Sequence, residues 1–177
     1  MSLGTRLRVF LGGSPTKIMD RFIRAAVRVD RDVIATLGDA PGRDRPLVTP
    51  FGLLGMTPGR LATEDDAHDA KAFGGPRSAS EETLEELASR GVRAIAIRLP
   101  PIVHGPNDGG FAKLLFTQAK KNGQAAYLGD GNNQWPSVHV TDAARLFRLA
   151  LEKGAAGAKY HGVAEEGIPP ARRPRPR

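Results

Sequence analysis

Residues 93–108, RAIAIRLPPIVHGPND, and residues 126–153, AYLGDGNNQWPSVHVTDAARLFRLALEK, decide how this chain folds. In the first, Val92 to Arg98 is a short run rich in Ile and Ala that directly follows a glycine stop at Gly91. Such a run predicts a strand of a parallel sheet covered on both faces, emptying into a Pro/Gly loop. The second reads as a polar Gly/Asn loop closed by an amphipathic helix, with Thr141 or Asp142 at its head and Gly154 at its end. Its expected buried stripe is Ala144, Leu146, Phe147, Ala150 and Leu151. In open α/β sheets, loops at the carboxyl ends of buried strands are where ligands are held.

Upstream of the first stretch, residues 79–90 predict a helix that starts at Ser78 or Ser80, with Glu81 and Glu82 in its first turn favouring the positive end of the helix dipole. Residues 46–49 predict a short apolar strand, and residues 57–78 a long polar loop carrying Glu64, Asp65, Asp66 and Asp69. Exposed acidic loops are common, and no catalyst is assigned to it. Residues 15–37 carry Ile18, Phe22, Ile23, Ala26, Val29, Val33, Ile34 and Leu37 at helical spacing, a stripe expected to pack on a sheet, with a dimer face as the alternative. Downstream, residues 111–123 predict an amphipathic helix closed by lysines and glycine. Short strands are expected at 125–128 and within AKYHGVA, residues 158–164. The domain organisation is therefore an irregular segment 1–14, an α/β domain 15–167 and a disordered Pro/Arg tail 168–177.

Composition narrows the function classes. The chain has 177 residues, enough for one domain with a real core, and is 40% hydrophobic and 25% charged. No apolar run is long enough for a membrane span, and MSLGTRLRVFLGG lacks a secretory signal pattern, so a cytoplasmic location is expected. With no cysteine there is no thiolate nucleophile, disulfide or Cys-based zinc site, and His68, His104, His139 and His161 lack metal-ligand spacing. The net charge of +7 is concentrated in the tail: Arg172, Arg173, Arg175 and Arg177 leave only +3 for residues 1–171. A solvated tail is favoured over a nucleic-acid footprint. The early glycine turn, GGSPTKIMD, fails the dinucleotide fingerprint: no third glycine follows at the needed spacing, and Pro15 lacks a backbone N–H.

Taken together, residues 48–164 resemble the NAD-dependent epimerase/dehydratase family, the extended or atypical branch of the short-chain dehydrogenase/reductases. The resemblance rests on the order of strands and helices, on RLPPIVHGPND, and above all on YLGDG followed by VHVTDAARLFRLALEK. It implies a Rossmann-type parallel sheet flanked by helices, NAD or NADP across its carboxyl edge, and a small C-terminal lobe over a substrate that is commonly a nucleotide sugar. The lack of the glycine fingerprint makes the chain an N-terminally truncated member on this reading.

The family's chemistry is hydride transfer to and from the nicotinamide, assisted by a Tyr-x-x-x-Lys pair and a Ser/Thr hydroxyl. Here Arg77 stands where the tyrosine is expected and Glu81 where the lysine is. Pro50 takes the place of the hydroxyl, leaving Thr49 one residue earlier. Arginine is no practical proton donor at neutral pH, and glutamate reverses the charge that would activate a phenol. The resemblance also implies that Leu99 and Pro100, at the strand exit, face the cofactor. His104 is either a substrate contact or a loop histidine bonded to a carbonyl, and Asn107 and Asp108 either meet substrate hydroxyls or form a turn. Asn132, Asn133, Gln134 and Trp135 suit a sugar or nucleobase, although Trp135 could instead plug the lobe. His139 is expected to tie the loop to the helix that Asp142 or Thr141 caps; Arg98 and Arg145 are expected to meet a phosphate or form surface ion pairs. The implied activity is that of an epimerase, dehydratase or reductase of atypical type. The alternatives are an inactive fragment serving as a binding or dimerisation module, and a nucleic-acid binder using the tail.

Overall fold

The computed structural model describes residues 15–40, 45–125, 131–132 and 134–167. The expected segment 1–14, the tail, Asn133 and most of the strand expected at 125–128 lie outside the described residues. The described part begins with helix α1 (Pro15–Gly38), followed by strand β1 (Leu47–Gly52), helix α2 (Ser78–Ser89) and strand β2 (Ala94–Leu99). Strand β3 (Ile102–His104), helix α3 (Phe111–Asn122), strand β4 (Ser137–His139), helix α4 (Val140–Lys153) and strand β5 (Lys159–His161) complete it.

Three of the strands form a parallel sheet in the order β1-β2-β5, with Leu47 opposite Ala94, Gly52 opposite Leu99, and Ala96, Ile97 and Arg98 opposite Lys159, Tyr160 and His161. Side chains alternate between the faces of a strand. Ala94 and Ala96 of β2 accordingly join Phe51, Leu84, Leu87 and Ile34 in one core, against α2 and α1. Ile95 and Ile97 join Ala150 in the other, with Leu146, Phe147 and Tyr160 packed on it, against α4. Each fully buried Leu or Ile here contributes roughly 2 kcal/mol of transfer free energy. A helix–sheet–helix sandwich results, as the buried run in β2 requires. Parallel strands β3 and β4 form a second, smaller sheet, in which His104 lies opposite His139.

Several boundaries differ from expectation for identifiable reasons. β1 does not stop at Thr49 but runs through Pro50 to Gly52. The Leu47 amide donates to the Arg93 carbonyl, so every second residue turns towards β2, and Pro50, which has no N–H to give, faces the other way. Helix α4 is capped by His139, whose side chain accepts the Thr141 amide, rather than by Thr141 or Asp142. Of its expected stripe, Ala150 is buried and Leu146 and Phe147 pack on the core, while Ala144 and Leu151 are exposed and Ala143 is buried in their place. Among the described side chains of the α1 stripe only Ile34 is buried; Phe22, Val29, Val33 and Leu37 are exposed, since α1 lies on α2 and reaches the sheet only near its end. Helix α3 has no buried residue, and Leu114, Leu115 and Phe116 are exposed.

Leu87 is the residue on which α1, α2 and the sheet converge: it is fully buried, and a Cβ on Gly38 would drive into its side chain. Leu87→Ala is expected to cost about 3 kcal/mol by urea denaturation; a loss below about 1 kcal/mol would show that this junction is not packed as described.

Candidate functional site

At the carboxyl edge of the large sheet the sequence places a charged residue where the pattern of β2 demands an apolar one. Arg98 follows Ala94 and Ala96 on the face covered by α2 and is 0% exposed. Its guanidinium survives there because nearly every donor has an acceptor. Nε donates to both carboxylate oxygens of Glu81, at 3.1 and 3.2 Å, and Nη2 to Glu81 Oε1 at 2.5 Å. Nη1 donates to the carbonyls of Asp66, at 2.9 Å, and Glu64, at 3.3 Å. The pair is a fork against a carboxylate, the geometry for which arginine is pre-organised. Lys159 of β5 approaches Glu81 at 3.8 Å and pairs with Glu85 at 2.5 Å.

The segment between β1 and α2 is folded onto this pair. The Asp69 amide donates to the Gly55 carbonyl and the Gly74 amide to the Leu54 carbonyl, so the loop leaves and re-enters at one point. Two glycines make that close return possible. A Cβ on Gly74 would stand 2.7 Å from the Gly55 nitrogen, and one on Gly55 would stand 3.0 Å from the His68 ring. His68 is thereby turned inward, with Nε2 3.5 Å from Glu81 Oε2 but making no hydrogen bond. His161, at the end of β5, gives its amide to Glu64 Oε1 at 2.7 Å, while its ring Nε2 is buried without a partner. Burial pushes the basicity of both rings below the ordinary value of 6.5, and Arg98 adds to the effect in each. Both are therefore neutral in the fold. A histidine of depressed basicity supports stability above its ordinary pKa and withdraws that support as pH falls below it.

The smaller sheet carries the second group of polar residues. His104 and His139, register partners at the carboxyl ends of β3 and β4, meet edge to face with ring centroids 5.4 Å apart. Thr141 fixes the second ring: its amide donates to His139 Nδ1 at 3.3 Å, and its Oγ1 lies 2.5 Å from the same atom. With Nδ1 accepting, the neutral imidazole carries its proton on Nε2, the atom that faces Gly105. Trp135 stacks on Phe111, with centroids 5.1 Å apart and planes 27° apart. Both ring pairs join the same two segments, one from β3 to the start of α3 and the other from Trp135 to the end of β4.

The expected site residues, Asn133 apart, have a place in the described fold. Thr49 lies inside β1 opposite Ala96, not at the strand end. Arg77 is held by Asp30 of α1 at 2.8 Å, and Glu81 by Arg98. Glu81 is the first-turn acid that was expected, and in addition it is buried, 3% exposed. Leu99 ends β2 half-buried, and Pro100 is buried. Asn107 takes a left-handed backbone, φ 63°, and Asp108 Oδ1 accepts the Gly110 amide at 2.6 Å, the arrangement a tight turn needs. Asn132 and Gln134 are exposed beside Trp135, and Asn133 is outside the described residues. Arg145 forms an exposed ion pair with Asp142, as one of the two readings held, whereas Arg98 is neither a surface pair nor open to a phosphate. The roles of His68, Lys159 and His161 were missed; the glycines at 55 and 74 around His68 are the one signal of a tight return.

No G-x-G-x-x-G occurs in the 177 residues, and Arg77 and Arg98, the cations flanking the start of α2, are both taken by carboxylates. At the β2 exit Leu99 and Pro100 bring only apolar side chains and backbone, with no donor from the proline nitrogen. Among the described residues nothing thus forms a cradle for the pyrophosphate of NAD or NADP, and the β2 exit offers such a cofactor only apolar and backbone contact.

Comparison with known proteins agrees with the architecture. Residues 58–163 match the profile of the NAD dependent epimerase/dehydratase family. This is more than half of the chain, and the protein belongs to that family. An uncharacterised protein of Schizosaccharomyces pombe is 47% identical over 146 residues, which cover 81% of this chain and 49% of the relative. An uncharacterised protein of Saccharomyces cerevisiae is 39% identical over 144 residues, covering 80% and 47%. The chain thus spans about half the length of these curated relatives. Among solved structures, the DesIV double mutant, a dTDP-glucose 4,6-dehydratase of Streptomyces venezuelae with NAD and DAU bound, superposes with a TM-score of 0.60 at 22% identity, over 75% of this chain and 42% of that one. Human epimerase family protein SDR39U1 with NADPH gives 0.56 at 18%, over 83% and 52%. These likenesses establish the Rossmann-like α/β fold. Among the described residues no helix is long and apolar enough to cross a membrane, and no group of metal ligands occurs.

The buried pair makes a sharp energetic prediction. Arg98→Leu strands the Glu81 carboxylate in the interior and is expected to cost about 3–5 kcal/mol, of which Arg98→Leu with Glu81→Leu recovers a substantial part. Urea denaturation of the single and double variants checks this; equal losses in both would show that the two side chains are not coupled.

Proposed function

We propose that the chain carries the substrate side of an atypical NAD(P)-linked epimerase, dehydratase or reductase, and that its smaller lobe binds a nucleotide-sugar-like ligand. The observation that supports this best is the convergence of the His104–His139 and Phe111–Trp135 ring pairs from two segments of that lobe. A sugar nucleotide offers hydroxyls around flat or apolar faces; Trp135 suits the faces, while Asn107, Asn132, Asn133 and Gln134 suit the hydroxyls. His104, edge-on to His139, is the side chain of this lobe assigned to contact the substrate. Leu99 and Pro100 are the part of the chain that would meet the nicotinamide end of NAD or NADP. The S. venezuelae neighbour holds NAD, which supports that assignment for the family's fold.

A second reading is a binding or dimerisation module without catalysis of its own. It is favoured by the occupied Arg77 and Glu81, and by the exposed apolar residues of α1, Phe22 and Val29, which could meet a second copy of the chain.

Trp135 is the sole tryptophan, so its fluorescence reports on the lobe directly. Titration with dTDP-glucose is expected to give saturable quenching, weakened about tenfold by His104→Gln, the loss of roughly one good hydrogen bond. Absence of any saturable change up to about 10 mM ligand, near the weak end of recognised affinities, would sink the binding assignment. A parallel NADH titration separates the readings: saturable binding favours the enzyme, and sugar-nucleotide binding without it favours the module.

A further inference from the structure

Residues 57–74 form the wall between the end of β1 and the start of α2, and their hold on the sheet passes almost entirely through one buried cluster. Two loop carbonyls, of Glu64 and Asp66, accept from Arg98 Nη1, and the Glu64 carboxylate accepts the His161 amide. His68, from the same loop, inserts its ring between Gly55 and Glu81, with its side chain 4% exposed. Charged groups face this point from every side: Glu81 and Glu85 from α2, Arg98 from β2, Lys159 from β5, and Glu64 and Asp66 from the loop itself. Within it, the Nε2 atoms of His68 and His161 are buried without hydrogen-bond partners.

We infer that this cluster is a proton-operated latch: protonation of His68 or His161 adds a cation beside Arg98 and releases residues 57–74 from the carboxyl edge of the sheet while the β1-β2-β5 sheet stays folded. The physical reason is one of competition. Glu81 is the acceptor that balances Arg98, and Lys159 already draws on it. A newly charged His68 would take its second oxygen from the arginine, while a charged His161 would draw Glu64 away from the position that aligns its carbonyl with Arg98. In an enclosed site an extra cation is costly unless the site opens to water. The loop can supply that opening, since it is tied at its base by Leu54–Gly74 and Gly55–Asp69 backbone bonds and carries exposed side chains such as Leu61 and Phe73. Acid would therefore open the carboxyl edge of the sheet over Arg98 and Glu81. The latch does not depend on the ligand reading above and can hold or fail independently of it.

Hydrogen–deuterium exchange of the full chain, corrected for intrinsic rates and compared at about pH 7.5 and about pH 5.5, tests this directly. One histidine that is neutral when latched and ordinary when released predicts a fall in protection of residues 57–74 of about tenfold over that interval, and both together about a hundredfold. Protection of β2, residues 94–99, should stay constant. His68→Gln should leave only the share due to His161, and His68→Gln with His161→Gln should remove the pH dependence. Three results would overturn the latch: pH-independent protection of residues 57–74 in the unmodified chain, loss of protection in β2 and the loop together, or a pH dependence that persists in the double variant. If the variants do not fold, the unmodified chain decides the matter alone through the difference between loop and β2.

Discussion

The structure depends on one buried guanidinium. β2 is the strand around which both cores are assembled, and its face towards α2 would be apolar throughout but for Arg98. Once placed there, Arg98 must be satisfied, and the ways of satisfying it fix three other parts of the molecule. Glu81 sets the position of the first turn of α2, the carbonyls of Glu64 and Asp66 set the course of the loop, and Lys159 brings β5 into the same charge balance. A pair of this kind adds little net stability compared with an apolar replacement, yet losing one partner is expensive. Its contribution here is to specify one arrangement of the loop over the sheet edge.

That requirement explains why the positions of the family's catalytic pair look as they do. Arg77 and Glu81 each have a structural partner, Asp30 and Arg98 respectively. The start of α2, where the family's chemistry is expected, serves in this chain to hold α1 and the loop. The polar side chains left over for recognition gather instead around β3 and β4, where two ring pairs tie the lobe together. The chain belongs to the family and has its Rossmann-like layering.

Much of the architecture was legible from local pattern. The Ala/Ile run of β2, the glycine stop at Gly91 and the helix after Val140 follow from side-chain periodicity, which is a local property of the sequence. The burial of Arg98 was not legible, because an arginine at the end of an apolar run looks the same whether it emerges into solvent or is met by a glutamate 17 residues away. His68 and His161 escaped for a related reason: each is an ordinary polar residue in sequence, and only the return of the loop across Gly55 and Gly74 brings them to one centre. Trp135 could be read either as a plug or as a binding face, and its stacking on Phe111 shows a supported ring that still borders exposed Gln134. The cap of α4 went to His139 because its ring nitrogen reaches the Thr141 amide, a choice that depends on the register of β4. Long-range pairing, not periodicity, decided each of these cases.

The central claim is that Arg98 is sealed beneath the loop and bonded on nearly all sides. Proton exchange of its side-chain Nε–H with water, followed by NMR in the isotopically labelled chain at neutral pH, measures that state without perturbing it. A sealed Arg98 exchanges as slowly as the β2 backbone amides, with its resonance displaced by the bond to Glu81. Exchange at the rate of exposed arginines such as Arg145 and Arg148 would contradict it.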